Sequence, residues 1–250
     1  MRGFVRIKSL WTELGVRSTL LYLIARLGAR LPLPLRAQSY RLVAQPVAAR
    51  PRLPARRAAA FTSRPVAPGD PALAAMPLDD AALRFRFAQG ATCLGLFKGE
   101  ALAAYAWFCL DGYDEDEVRC RFEPAPADRT AWDFDVYVLP DHRGSFAFLA
   151  LWDAADAFLR RHGRVVSMSR ISAVNAASTA SHASLGATPL GRADFCALGP
   201  AQVMWTSIGG RRQVAVTLRR RPVVKLEIPA WRDTLGCQEG PQADKQTAAT

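Results

Sequence analysis

The sequence predicts an α/β (α+β) fold, a mixed, largely antiparallel central sheet with helices on both faces. Three observations predict it. A strand-like WDFDVYVLP (residues 132–140) runs into a helix-like stretch that ends near His162. A second strand-like run, VVSMSRIS (165–172), runs into the helix-like NAASTASHASLGA (175–187). Two successive strand-to-helix units call for a sheet with helices packed on it. Ahead of them, ATCLGLF (91–97) and LAAYAWFCL (102–110) flank Lys98-Gly99-Glu100, which reads as an antiparallel hairpin.

In chain order, Leu20, Ile24, Leu27 and Leu31 follow helical spacing, with Arg26 and Arg30 on another side. Residues 11–30 therefore read as a basic amphipathic helix, ended near Pro32 and Pro34. Its apolar core, 20–25, is too short to cross a bilayer, which takes about 20 residues. No small-residue cleavage site follows, so it does not read as a secretory signal. Two readings stay open: residues 1–35 attach to an anionic membrane surface, or the helix docks on the domain with its arginines in solvent. SYRLVAQPV (39–47) reads as a strand and closes an N-terminal unit, 1–47. Residues 48–68, rich in Pro, Ala and Arg, read as a linker. A folded domain is expected over 69–231. It starts with one or two short helices in 70–87, then the hairpin and a third strand at about 117–122. The strand at 132, a helix from about 144 to 162, the strand at 165 and a helix at about 176–185 follow. Late strands lie in GRADFCALG and QVMWTSI. The polar tail, 232–250, is expected to be disordered.

The charge is unevenly placed. Residues 1–69 hold 13 Lys/Arg against one acid, Glu13, while the rest of the chain holds 20 basic and 21 acidic residues. The net +11 thus sits at the N-terminus, and a near-neutral body gives no reason to expect a nucleic-acid partner. Five cysteines, odd in number and without CxxC spacing, argue against a disulfide framework or a zinc site. With no HExxH either, no metal is expected. The expected location is the reducing cytoplasm, extended to the inner-membrane surface if residues 1–35 attach there.

Two segments carry candidate chemistry. Val138-Leu139-Pro140 ends a strand, and Arg143-Gly144 opens a helix. Such a junction presents backbone N–H groups to a pyrophosphate. Within the strand, strict alternation puts Asp133, Asp135 and Tyr137 on one face, and Trp132, Phe134, Val136 and Val138 on the other. Two buried carboxylates sharing a site would raise at least one pKa toward that of a useful base. The other readings are an exposed face or an ion pair to Arg170 or Arg143. The cluster Asp111, Asp114, Glu115, Asp116 and Glu117 reads as a solvated loop. In the second unit, offsets of three and four put Asn175, Ser178 and His182 on one helical face.

Together the two strand–helix units resemble the cofactor-binding half of the GNAT acetyltransferase superfamily, over roughly residues 80–200. The pattern V-x-P-x-x-R-G-x-G-x-G is met by Val138, Pro140, Arg143 and Gly144, with Phe146 and Phe148 at the later glycine positions. A shift of one residue places Ser145 and Ala147 there, with His142 leading; in either register the glycine loop is degraded. The pattern N-x-x-A-x-x-x-Y-x-x-x-G-F aligns with Asn175, Ser178, His182, Gly186 and Ala187. The resemblance implies an acyl-CoA N-acyltransferase fold. The implied activity is that of an N-acetyltransferase moving an acetyl or other acyl group from acyl-CoA to an amine, carried by a small molecule or an amino sugar. The implied co-substrate is acetyl-CoA. The implied cofactor contacts are Tyr137, Val138, Arg143, Gly144, Ser145, Phe146, Ala147, Asn175 and Ser178. Asp133 or Asp135 would accept the amine proton. His182, standing where the family carries a tyrosine, would protonate the leaving thiolate. The alternative is a non-catalytic GNAT-like binding or scaffolding module at the membrane surface. Phe146 and Phe148 favour it; the Asn175 unit and the paired aspartates oppose it.

Overall fold

The computed structural model describes residues 34–228, together with Leu23. Apart from Leu23, the basic helix expected over 11–30 lies outside the described residues, as does the tail at 232–250. The strands are β1 (Leu35–Pro46), β2 (Thr62–Val66), β3 (Thr92–Lys98), β4 (Ala101–Cys109), β5 (Tyr113–Asp114), β6 (Arg121–Ala125), β7 (Thr130–Val138), β8 (Val166–Ser172), β9 (Thr188–Leu198), β10 (Ala201–Ile208), β11 (Arg211–Thr217) and β12 (Val223–Glu227). The helices are α1 (Ala55–Ala58), α2 (Asp80–Ala88), α3 (Ala147–Arg161) and α4 (Ala176–Ser184), with single 3₁₀ turns at Pro71–Ala75 and Pro140–His142.

The main sheet has nine strands in the order β11-β10-β9-β1-β8-β7-β4-β3-β2. Every pairing is antiparallel except β7 with β8. The expected mixed, largely antiparallel sheet is therefore present. Lys98-Gly99-Glu100 makes the tight β3–β4 turn, where Gly99 takes φ +61° in open space.

Each face has its own cover. On one face α3 lays Ala147, Ala150, Leu151, Ala155, Phe158 and Leu159 on Leu94, Leu96, Ala104, Ala106 and Phe108. These spacings of three and four build the apolar stripe of a surface helix. Arg160 and Arg161 fall in its last turn, where cations suit the helix dipole. The opposite face is covered by α2 and by a small sheet, β12-β6-β5, which the sequence pattern did not suggest. Phe122 of the small sheet stacks on Trp132, with ring centroids 4.5 Å apart. The strand expected at 117–122 starts later, at Arg121, and belongs to this second sheet.

Two expectations about the N-terminal region change. β1 does not sit in a separate unit: it lies between β8 and β9 and buries Tyr40, Leu42 and Ala44. Residues 48–68 are not a free linker. Arg52 pairs with Asp153 and Asp156 of α3, Leu53 is buried, and Thr62–Val66 adds an edge strand to β3. The Pro65 of that strand suits an edge, because proline cannot donate to a further ladder.

Candidate functional site

β7 and β8 run parallel but pair only over Thr130–Trp132 and Val166–Met168. Beyond those residues β7 follows β4 as far as Val138, and β8 follows β1 as far as Ser172. The two strands fork. The β8-facing edge of β7 and the β7-facing edge of β8 have no ladder partner there among the described residues, so a ligand's amide groups could bond to them.

A β-bulge sits beside the fork. Tyr105 pairs with Tyr137 and Trp107 with Phe134, so Asp135 and Val136 stand opposite Ala106 alone. Asp135 takes φ +48°, and no other described non-glycine residue has a positive φ. The bulge overturns the expected face assignment, because one extra residue exchanges the faces of everything after it. Asp133 faces α3. Tyr137 instead packs against the cluster that holds Trp132 and Phe134, while Val136 and Val138 pack with α3.

Asp133 and Asp135 therefore do not share a site. Asp135 accepts a hydrogen bond from Arg86 Nη1 at 2.5 Å. Asp133 is 1% exposed and accepts a short hydrogen bond from the Ser167 hydroxyl. Burial pushes its carboxyl up to about 7, against the opposing pull of Ser167 and Ser169. Its Oδ2 and the neighbouring Ser169 hydroxyl make no hydrogen bond of full geometry among the described residues. Neither aspartate pairs with Arg170, whose guanidinium is held by Glu115 at 2.6 and 2.7 Å. That bond also removes Glu115 from the expected solvated loop: it is buried.

His182 is buried too. Its Nδ1 lies 2.9 Å from Gln45 Oε1, and its ring stands edge-on to Trp152, with centroids 5.5 Å apart. Burial pushes its pKa down to about 4, so the imidazole is neutral at pH 7. The Gln45 side-chain amide can pair with Nδ1 through either its oxygen or its nitrogen, so the ring proton sits on Nδ1 in one orientation and on Nε2 in the other. Asn175 is the N-cap of α4, its Oδ1 accepting from the Ser178 backbone N–H at 2.9 Å.

The junction after β7 is exposed. Arg143 folds back, its Nε donating to the Val138 carbonyl and its Nη2 to the Tyr137 hydroxyl, both at 3.2 Å. Gly144 takes φ +74° with open space where a Cβ would lie. The Ser145 hydroxyl accepts from the Ala147 N–H at 3.1 Å. The N–H groups of Gly144 and Phe146 have no acceptor among the described residues. Phe146 lies under the Arg57 guanidinium, 4.3 Å from its ring centroid, and Phe148 packs with the α3 core. Among the described residues no cluster of His, Cys, Asp and Glu forms a metal site, and no helix is long and apolar enough to cross a membrane.

Sequence reasoning missed Arg86, Gln45, Ser167 and Ser169. The serines had a signal: they alternate with Val166 and Met168, which marks a polar face on the strand after Asp133. Gln45 and Arg86 had none, because their partners lie far away in sequence.

No family model matches the chain, and no curated protein matches it. Solved structures do. One is a GNAT-family acetyltransferase from Novosphingobium aromaticivorans, at 17% identity over 62% of this chain and 60% of that one, with a TM-score of 0.43. Another is a tandem GNAT protein of clavulanic acid biosynthesis, at 17% identity over 75% of this chain and 58% of that one, TM-score 0.43. A third is a Salmonella typhimurium acetyltransferase solved with acetyl-CoA, at 24% identity over 51% of this chain and 79% of that one, TM-score 0.37. The chain spans about 60% of the length of the first two. Identities below 25% and TM-scores below 0.5 transfer no residue role and no activity. The first two are GNAT proteins and the third is an acetyltransferase, and it is to the fold of such proteins that this chain is similar.

Proposed function

We propose that the fork between β7 and β8 binds an acyl-CoA, and that the protein transfers its acyl group to an amine. The observation that carries this reading is the early end of the parallel pairing at Trp132 and Met168. An extended pantetheine arm carries two amides and can add to the open edges as a strand would. The backbone at Tyr137 and Val138 would hold the arm. The loop Arg143, Gly144, Ser145, Phe146 and Ala147 would hold the pyrophosphate at the start of α3, chiefly through the N–H groups of Gly144 and Phe146. Asn175 and Ser178 would meet the cofactor from α4.

Asp133, at the foot of the fork, would be the base. A carboxyl near pH 7 is matched to that task, and its burial requires a water to carry the amine proton to it. Asp135 is committed to Arg86 and is not proposed as a base. His182 would reach the thiolate only as a neutral N–H donor, because its protonated form is suppressed at pH 7. Positioning two substrates in one cleft would supply most of the acceleration. The acceptor would be a small amine or an amino sugar. Titration calorimetry with acetyl-CoA tests the reading. Saturable binding is expected, and Arg143→Glu should weaken it roughly tenfold by setting an anion beside phosphate. An unchanged affinity would exclude this placement of the pyrophosphate, and absence of binding would end the acyl-CoA reading.

Residues 1–35 would attach the protein to the anionic inner face of the cytoplasmic membrane. The support is the concentration of 13 Lys/Arg against one acid in residues 1–69. Co-sedimentation with phosphatidylserine vesicles should pellet the full chain at low salt and leave a chain lacking residues 1–33 in solution. The deletion must stop there, because β1 begins at Leu35. Equal behaviour of the two chains would rule out the attachment.

A further inference from the structure

The bulge in β7 rests on a residue that the strand itself disfavours. A non-glycine residue at φ +48° carries a backbone cost that its surroundings must hold in place. The surroundings here centre on one side chain. Arg86 of α2 is 6% exposed, and its guanidinium lies 5.4 Å from the Trp107 ring centroid and 5.3 Å from that of Phe134. Its Nη1 donates to Asp135 at 2.5 Å, and its Nη2 donates to Asp116 at 3.3 Å. Asp116 thus braces the guanidinium from the loop before β6 while the other end of the fork grips Asp135. A planar fork can hold two carboxylates at once, which an ammonium cannot do with the same geometry.

We propose that Arg86 is a positioning residue: by clamping Asp135 it holds the β7 bulge, and the bulge sets the shape of the acyl-CoA cleft. The proposal rests on the acyl-CoA reading of the fork. Without the bulge, Asp135 would return to extended backbone, and every later side chain of β7 would change faces. Tyr137 would leave Tyr105, on which it is stacked with ring centroids 5.5 Å apart. Arg143 would lose the Tyr137 hydroxyl to which it is bonded. The strand would then be free to continue its pairing with β8 and close the fork. A side chain on α2 thereby governs a loop on the far side of β7 that it does not touch.

A glycine at position 135 separates the clamp from a merely structural role, because glycine takes positive φ without a clamp. Acetyl-CoA affinity is measured for wild type, Arg86→Met, Asp135→Gly and the double variant. Arg86→Met alone should weaken binding about tenfold, or about 1.4 kcal/mol. In the Asp135→Gly background the same change should have little effect, a coupling that a double-mutant cycle reads directly. Equal losses in both backgrounds would overturn the proposal. If Arg86→Met does not fold, Arg86→Lys, which keeps the charge but loses the fork, is read the same way. Should the wild type not bind acetyl-CoA, the clamp is judged on its own by nuclear Overhauser contacts between Tyr105 and Tyr137. Their loss in the Arg86 variant and return in the double variant support it; their persistence in the Arg86 variant overturns it.

Discussion

Replacing Asp133 by Asn is expected to turn a nearly flat pH dependence of stability between pH 4 and 6.5 into a rise with pH. The folded carboxyl titrates near 7 against an ordinary value of 3.8. Below pH 4 both folded and unfolded chains hold the proton, and the group costs nothing. As pH rises toward 7 only the folded chain still holds it, so stability falls by about 1.4 kcal/mol per pH unit, on the order of 4 kcal/mol in all. His182 acts in the opposite sense. Its folded pKa is about 4 against an ordinary 6.5, so its contribution is complete above 6.5 and is lost as pH falls to 4. In the wild type the two slopes oppose each other across the same window. Asp133→Asn should leave stability rising with pH there, and should make the protein more stable than wild type at pH 8. His182→Leu should leave it falling with pH. Urea unfolding of both variants at pH 4, 5, 6 and 8 checks this. A wild-type profile from Asp133→Asn would mean that the carboxyl is not buried in neutral form.

Gly191→Ala is expected to damage the fold more than any other single methyl. Gly191 lies in β9, opposite Leu42 of β1 and Ile208 of β10. A Cβ there would stand 2.0 Å from the Ser207 carbonyl oxygen and 2.8 Å from the Ile208 Cα, both of them backbone atoms. No rotamer relieves such a clash, so the strands must separate. The loss should be on the order of 4 kcal/mol or more, roughly 10 °C in melting temperature for a chain of this size. Gly99→Ala is the comparison. Gly99 also has a positive φ, but nothing stands within 4 Å of its Cβ position, so the cost should be about 1 kcal/mol. Similar losses at the two sites would refute the steric account.

What the sequence conveyed was the local periods. Lys98-Gly99-Glu100 between two apolar runs announced the β3–β4 hairpin, and the 3.6-residue apolar stripe from Ala147 announced α3. The order of strands and helices around 132–187 announced the parallel pair. Spatial neighbours at long sequence separation were silent. Nothing in SYRLVAQPV says that it pairs with both β8 and β9, and nothing in RRQVAVT, polar and charged at its start, says that it closes the sheet edge. The candidate site failed at one residue. Strict alternation through Asp133, Asp135 and Tyr137 assumes an unbroken ladder, and a bulge is invisible to a period of two. The cause lies outside the strand, in Arg86 of α2, whose neighbours Phe85 and Phe87 gave the segment no sign of an ion pair.

The position of β1 also has a consequence in time. Pro46 pairs with Val166, Leu35 with Leu198, and the Ser39 hydroxyl donates to an aspartate 155 residues later. A ribosome adds roughly 5–20 residues per second, so this strand waits about ten seconds or more for the two partners that enclose it. Until then its backbone groups are unpaired on both sides, the state in which strands recruit foreign partners. Closing so long a loop is also the kind of step that slows folding. Completion of the sheet therefore depends on a segment made early and placed late, and a pulse of refolding followed by hydrogen exchange should find the amides of residues 35–46 among the last to be protected.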